Sequence, residues 1–296
     1  MGPRRFGPRR ALVLGAVALV LGGLAACSGG SSRPLSELRA RSVDFDGVSV
    51  RWKESGSGEP SMIFVPGWAS DMRVFAGQAE IPPTNGRMIF LDLPGHGESD
   101  APERDYSFSW LAGAIESVRE AAGADRVVLF AHSNGAALAR EYLRQHPDRV
   151  TAFVSVEGSF RPVVSEPRLW DRLVARFRQT DYGESVGAML APDLDPALRQ
   201  ELFDMMMSTP QHVMVSTLLA YGESASAATG TIDVPLLALH APSRFWTDEY
   251  RRWLEGVAPR LEWKERAGTS HFLMREDPAW VAETVKEFLA SVEAGS

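Results

Sequence analysis

The sequence predicts an α/β fold in which a mainly parallel sheet carries helices on both faces. Three observations lead there. The chain has 296 residues, 45% of them hydrophobic, enough to bury one large core. From about Val43 onward, short β-rich runs alternate with amphipathic helical stretches, the pattern of strand–helix repeats. Several of the runs are almost continuously apolar, as strands covered on both faces are.

In chain order the predicted strands are VSVRWKE (48–54), SMIFVPG (61–67), RMIFLDLPG (87–95), RVVLFAHS (126–133), VTAFVSVEG (150–158), VPLLALHA (234–241) and RLEWKERAG (260–268). Helical stretches lie between and after them: FSWLAGAIESVREAAG, AALAREYLRQHP, TDEYRRWLEGV and PAWVAETVKEFLASV. The last opens with Pro278, suited to a first turn, behind Asp277, a residue type that caps helix N-termini. Residues 160–230 break the rhythm, with helical pieces (LWDRLVARFRQ, DPALRQELFDMMM, QHVMVSTLLAYG) and no convincing strand. They read as a helical cap set into a core of 43–159 and 231–296, over the sheet edge where open α/β sheets bind ligands. Met189, Met205–Met207, Met214, Leu218, Leu219 and Tyr221 either wall an adaptable apolar pocket or bury the cap's own inner face.

The first residues, MGPRRFGPRR, precede ALVLGAVALVLGGLAAC. A positive segment, an apolar stretch and small residues describe an export signal over 1–26; an uncleaved membrane anchor is the alternative. Leu24-Ala25-Ala26-Cys27 resembles the lipobox of bacterial lipoproteins, which implies lipidation of Cys27 and an extracytoplasmic, membrane-anchored protein. Cys27 is the chain's one cysteine, so no intramolecular disulfide forms. Residues 27–42 then form a tether, Gly/Ser-rich just after the cysteine. The formal charge is −7; without the four arginines of 1–26 it is −11, with 27 basic against 38 acidic residues. No basic stripe remains for nucleic acid.

In FAHSNGAALA (130–139), Ser133 follows an apolar run and precedes small residues that suit a helix. This is the strand–turn–helix order of a nucleophile elbow, with Gly135 as the second glycine of G-x-S-x-G and Ala131 where the first is commoner. A helix-capping serine is the plainer alternative. A nucleophilic serine needs a base, an orienting acid and oxyanion donors. Asn134, the residue after it, supplies one backbone donor.

Four stretches together, FVPGWASDMRVF (64–75), LDLPGHGESD (91–100), the Ser133 elbow and AGTSHFLMREDPAWV (267–281), resemble the capped branch of the α/β-hydrolase family from about Val43 to Leu289. The resemblance implies an eight-stranded sheet with the cap after strand 6, a serine nucleophile and a late histidine base. His271 is that base: it alone of the six histidines lies between the last strand and the terminal helix. His96 belongs to the PGHG loop, where the family carries a structural histidine, and His132 is expected to point away from the serine. His146, His212 and His240 read as helix-end, cap and strand-end residues. No histidine has metal-ligand spacing, so neither metal nor cofactor is expected. The second oxyanion amide is placed at Trp68, directly after Pro66-Gly67, where many relatives have His-Gly.

The acid departs from the family. Its commonest place is the loop after VPLLALH, which here reads APSRFW with Arg244 near the expected carboxylate; a cation cannot orient an imidazolium. Another branch puts the acid after the preceding strand, where Glu157 stands, costly to bury unless paired. Glu157 is therefore the first choice and Asp248 the second; pairing of Glu157 with a cap arginine such as Arg161 is the alternative. The whole predicts a membrane-tethered serine hydrolase for small or medium ester-like substrates with an apolar portion. C–C bond, lactone, amide or peroxidase chemistry on the same triad, and a non-catalytic binder of apolar ligands, are the rivals. Family members that cleave haloalkanes or epoxides use an aspartate nucleophile, which Ser133 is not.

Overall fold

The computed structural model describes residues 1–2, 33–84, 86–162, 166–227 and 230–295. Its strands are β1 (Ala40–Phe45), β2 (Val48–Ser55), β3 (Ser61–Val65), β4 (Arg87–Leu91), β5 (Val127–His132), β6 (Val150–Val156), β7 (Leu236–His240) and β8 (Leu261–Glu265). They form one sheet in the order β1-β2-β4-β3-β5-β6-β7-β8. β2 runs antiparallel to both its neighbours, and β4 through β8 are parallel. This is the mainly parallel eight-stranded sheet expected. The seven sequence runs each contain a strand; β1 adds an eighth, joined to β2 by Asp46-Gly47. Both of these residues have positive φ, +54° and +76°, as a tight two-residue hairpin requires.

The helices are α1 (Ala76–Glu80), α2 (Phe108–Ala121), α3 (Gly135–Gln145), α4 (Pro167–Phe177), α5 (Gly183–Gly187), α6 (Pro196–Met207), α7 (Gln211–Ala227), α8 (Asp248–Val257), α9 (Leu273–Glu276) and α10 (Pro278–Ala294). Asp277 caps α10 by accepting from Trp280 N at 3.1 Å, and Pro278 follows it at the first turn.

Strand alternation divides the interior into two cores. Ile63, Val65, Ile89, Leu91, Leu129 and Ala131 face the layer containing α2, α3 and α8. Met62, Phe64, Met88, Phe90, Val128 and Phe130 face α1, α10 and the inner side of the segment between β6 and β7. On that face Phe64 stacks on Phe90 and Phe130 at 4.5 and 4.6 Å. Because both faces are covered, every residue of β3, β5 and β7 is buried.

Helices α4 to α7 lie between β6 and β7 in the chain. Met205, Met206 and Met214 are buried in the second core, which matches the inner-face reading of those thioethers, whereas Met189 and Leu219 are exposed. Among the hydrogen bonds that tie this segment to the loops at the sheet edge, Trp68 Nε1 donates to Met214 O at 2.9 Å, Thr209 Oγ1 to Ala69 O at 3.3 Å and Tyr106 N to Ser216 Oγ at 2.8 Å.

The start of α3 packs against the β3 end without room for a side chain. A Cβ on Gly135 would lie 2.5 Å from Pro66 O, a backbone atom that cannot swing away. Gly135→Val is expected to lower the unfolding free energy by about 2–3 kcal/mol, seen as a lower urea midpoint at unchanged m-value.

Candidate active site

Ser133 sits between the end of β5 and the start of α3, at φ +55°. A residue with a side chain in this left-handed region costs about 1–3 kcal/mol and needs support from its surroundings. Ser133 N donates to Val156 O at 3.1 Å, while Ser133 O accepts from Ala136 N at 3.0 Å and Ser159 N at 3.1 Å. Small neighbours make the space. A Cβ on Gly67 would come within 2.9 Å of Ser133 Cβ, and one on Gly135 would strike Pro66. Ala131, where a glycine is commoner, is a fully buried β5 residue pairing with Val65 and Ser155; its methyl group points into the core.

The chain brings Ser133, His271 and Glu157 together. His271 Nε2 is 2.9 Å from Ser133 Oγ and its Nδ1 is 3.3 Å from Glu157 Oε2. A carboxylate only accepts, so Nδ1–H faces Glu157 and Nε2 is left to receive the serine proton. The His271 side chain is 42% exposed and that of Glu157 3%, so the reacting end opens to solvent and the orienting end is dry. Glu157, at φ +50°, continues the ladder past β6 by donating its N–H to Leu239 O at 2.8 Å. Besides His271, its carboxylate accepts from Ala241 N and from Trp246 Nε1 at 3.1 Å.

The other candidates lie elsewhere. Asp248 is exposed in the first turn of α8, which Thr247 caps, and makes no hydrogen bond to His271 among the described residues. Arg161 pairs with Glu249 at 3.3 Å and lies over Trp253, not on Glu157. Arg244 is exposed, beside Phe245. The loop after β7, where the resemblance would have put a carboxylate, therefore supplies donors to Glu157: the Ala241 amide and the Trp246 indole, neither marked by any sequence motif.

Three further histidines are buried around this group. His96 Nδ1 is 3.0 Å from Pro94 O inside its own loop. His132, expected to turn away from the serine, makes no hydrogen bond to its hydroxyl among the described residues and reaches the loop of His271: its Nε2 is 2.9 Å from the backbone O of that residue, with ring centroids 4.9 Å apart. His240 lies between Trp246 and Trp263, each 4.1 Å away, with Nδ1 3.8 Å from Glu157 Oε1. Burial, and then the proximity of His271, push the His132 pKa well below the usual value and that of His240 down to about 3. Both rings are neutral at physiological pH.

The two amides expected to meet an oxyanion, Trp68 N and Asn134 N, donate to no group among the described residues. A cavity of about 10 Å3 touches both residues and is walled by Leu93, Phe108, Leu111 and Leu138. The Trp68 loop is braced from beneath: Asp92 accepts from Met72 N at 2.8 Å and Glu98 N at 2.9 Å. Burial, reinforced by Asp71, raises the Asp92 pKa to about 7. Among the described residues no group of three His, Cys, Asp or Glu side chains could hold a metal ion, and no helix is long and apolar enough to cross a membrane. Cys27, residues 3–26 of the export signal and residues 28–32 of the tether lie outside the described residues. The rest of the expected tether is described, and it is not free chain but holds a 3-10 turn at Leu35–Glu37, with Leu35 and Leu38 buried, and the start of β1.

A mainly parallel sheet with a helical segment between β6 and β7, and a strained serine at the β5–α3 turn, defines a hydrolase-type α/β protein. The family profile for the alpha/beta hydrolase fold matches residues 60–268, and the chain belongs to that family. Among its relatives, a haloalkane dehalogenase of Agrobacterium fabrum is 24% identical over 290 residues, covering 86% of this chain and 92% of that protein. A thermophilic esterase from Thermogutta terrifontis shares the fold with a TM-score of 0.75 at 19% identity, over 86% of this chain and 99% of the esterase. An enol-lactonase from Burkholderia xenovorans does so with a TM-score of 0.74 at 19% identity, over 84% and 100%.

The buried neutral histidines make the fold acid-sensitive. A histidine whose pKa is lower folded than unfolded contributes stability that is present above its ordinary value near 6.5 and is lost as pH falls toward the folded value. For His240 that window runs from about 6.5 to about 3. His240→Phe keeps a ring between the two indoles and removes the titration. Its acid-unfolding midpoint, followed by tryptophan fluorescence, is expected to lie at lower pH than that of the wild type.

Proposed function

We propose that this chain is a serine hydrolase of carboxylic esters with an apolar portion, held by a lipid on Cys27 at the extracytoplasmic face of a bacterial membrane. The observation that carries the catalytic reading is the 2.9 Å contact between His271 Nε2 and Ser133 Oγ, made while Nδ1 faces a buried carboxylate. On this reading Ser133 attacks the ester carbonyl and His271 takes its proton. Negative charge gathers on the carbonyl oxygen between the Trp68 and Asn134 amides, which donate to no other group among the described residues and so suit that task. His271 then returns the proton to the leaving alcohol. Water, activated by the same imidazole, releases the acid and restores the hydroxyl.

Glu157 keeps the imidazole in the tautomer with hydrogen on Nδ1 and offsets the positive charge that forms on it. Its own donors hold the carboxylate still while that happens. A serine at the elbow separates this chain from family members that use an aspartate there. The tether is supported by the Leu-Ala-Ala-Cys ending, by the absence of any other cysteine in the sequence, and by the acidic balance left after residue 26.

Two measurements test these readings. A fluorophosphonate probe is expected to label the wild type and not Ser133→Ala, and p-nitrophenyl esters to be turned over; Glu157→Gln is expected to lower kcat by about 10³–10⁴-fold without loss of folding. No label on the wild type would favour a binder of apolar ligands, and full turnover by Glu157→Gln would remove the acid assignment. Separately, Cys27→Ala is expected to move the protein from the membrane fraction to the soluble fraction. Retention in the membrane would point to an uncleaved apolar anchor instead.

A further inference from the structure

His132 occupies a junction that its place beside the nucleophile does not by itself explain. It is the last residue of β5, 1% exposed, and three segments converge on its ring. Through the chain it is bonded to Ser133. Across a gap it meets the loop of the oxyanion amides: a Cβ on Gly67 would lie 2.9 Å from His132 Nδ1, so the two segments touch only because position 67 has no side chain. From the third side comes the loop of the base, whose carbonyl at His271 is 2.9 Å from His132 Nε2. Phe272 closes over the ring, 5.3 Å between centroids.

The chemistry of the contact fixes the proton. A backbone carbonyl only accepts, so His132 carries hydrogen on Nε2. Burial keeps the ring neutral, because a second proton on Nδ1 would place a cation in a dry site beside His271. The donor is therefore permanent, even when His271 becomes an imidazolium. Other backbone restraints lie to either side of it: Arg266 N donates to His240 O at 2.8 Å and Gln78 Nε2 to Met274 O at 3.2 Å, while Ser270 N and Oγ bond to Glu276 at 2.7 Å and Thr269 Oγ1 to Arg266 O at 2.8 Å. Those hold the ends and shape of the loop; the His132 bond ties the backbone of residue 271 itself to the end of β5.

We infer that His132 is a positioning residue that locks the base loop, the nucleophile and the oxyanion loop into one register by donating Nε2–H to the His271 carbonyl. It touches no reacting atom. This inference rests on the serine hydrolase reading for its catalytic consequence, and on geometry alone for the anchoring.

The test uses two unbranched substitutions of equal length in the full-length protein. His132→Gln keeps an N–H donor at the right reach; His132→Met keeps the volume and lacks the donor. With a p-nitrophenyl ester, His132→Met is expected to lose about 10–100-fold in kcat, the scale of a misplacement near 1 Å, with KM within about twofold. His132→Gln is expected to stay within about threefold of wild type in both constants. Amide hydrogen exchange of the peptide containing His271 should be faster in His132→Met than in wild type and close to wild type in His132→Gln. Equal kcat losses in the two variants, or wild-type kcat in His132→Met, would overturn the inference. If His132→Met proves unfolded, a folded His132→Gln with kcat down more than about tenfold would overturn it as well. Should the wild type neither label with fluorophosphonate nor cleave any ester, the hydrolase reading falls. The exchange comparison then still decides the anchoring: faster exchange in His132→Met supports it, and equal exchange in all three proteins ends it.

Discussion

Two residues at the sheet's carboxyl edge hold a backbone conformation that side chains disfavour, and the hydrogen-bond ladder of the sheet keeps them there. Ser133 at φ +55° and Glu157 at φ +50° each follow directly on a strand. Each donates its N–H to the next strand over, Ser133 to Val156 O and Glu157 to Leu239 O. The ladder thus runs one residue beyond β5 and β6, and that extra rung fixes where the chain turns. A cost of about 1–3 kcal/mol per residue is borne by parallel pairing that is continuous from Val128 to His132 and from Phe153 to Val156. The sharp turn aims the Ser133 hydroxyl and the Glu157 carboxylate toward the same imidazole.

Charge is rationed around that imidazole. Among the described residues Glu157 is the one acid in hydrogen-bond contact with it, buried and held by an amide and an indole as well. The two other histidine rings within reach are kept neutral by burial. A cation at position 240 would stand 3.8 Å from Glu157 Oε1 and compete with His271 for that carboxylate. Sandwiching this ring between Trp246 and Trp263 removes water from both of its faces, which is what suppresses its protonation. The indole that closes the sandwich also donates to Glu157, so one side chain both silences a competitor and steadies the acid.

How much of this was legible in the sequence follows from what each feature depends on. The runs holding β3 to β7 are readable because strands covered on both faces must be apolar throughout, and Asp277-Pro278 marks its helix by local chemistry alone. β1 escaped because it is an edge strand whose side chains are mostly exposed, leaving no apolar pattern to find. Helix α5 is five residues long, too short to show a period. At the site, Ser133 and His271 carry motif signals, and Glu157 stands out as a charge at the end of an apolar strand. The Trp246 donor, the His240 sandwich and the His132 bond have no such signature. They arise when residues 89, 23 and 139 positions apart in the chain meet, and their partners are named by tertiary packing.

On the proposed reading, the place of Glu157 shows how either of two neighbouring strand ends could present an acid without rebuilding the fold. β6 and β7 are adjacent parallel strands in register, Val156 opposite Leu239, so their carboxyl ends lie about 5 Å apart. A carboxylate leaving either end reaches the same imidazole. What differs is the support each end must provide. With the acid on β6, the β7 end no longer needs a carboxylate and instead presents Ala241 N and the Trp246 indole, both donors. Arg244, which would repel an imidazolium if it faced inward, lies exposed. The loop after β7 thus acts as a donor to Glu157, and those two bonds are what an acceptor at the end of β6 makes possible. Were a second carboxylate turned in from that loop, it would meet one already bound by these donors, and two acids at one imidazole would repel.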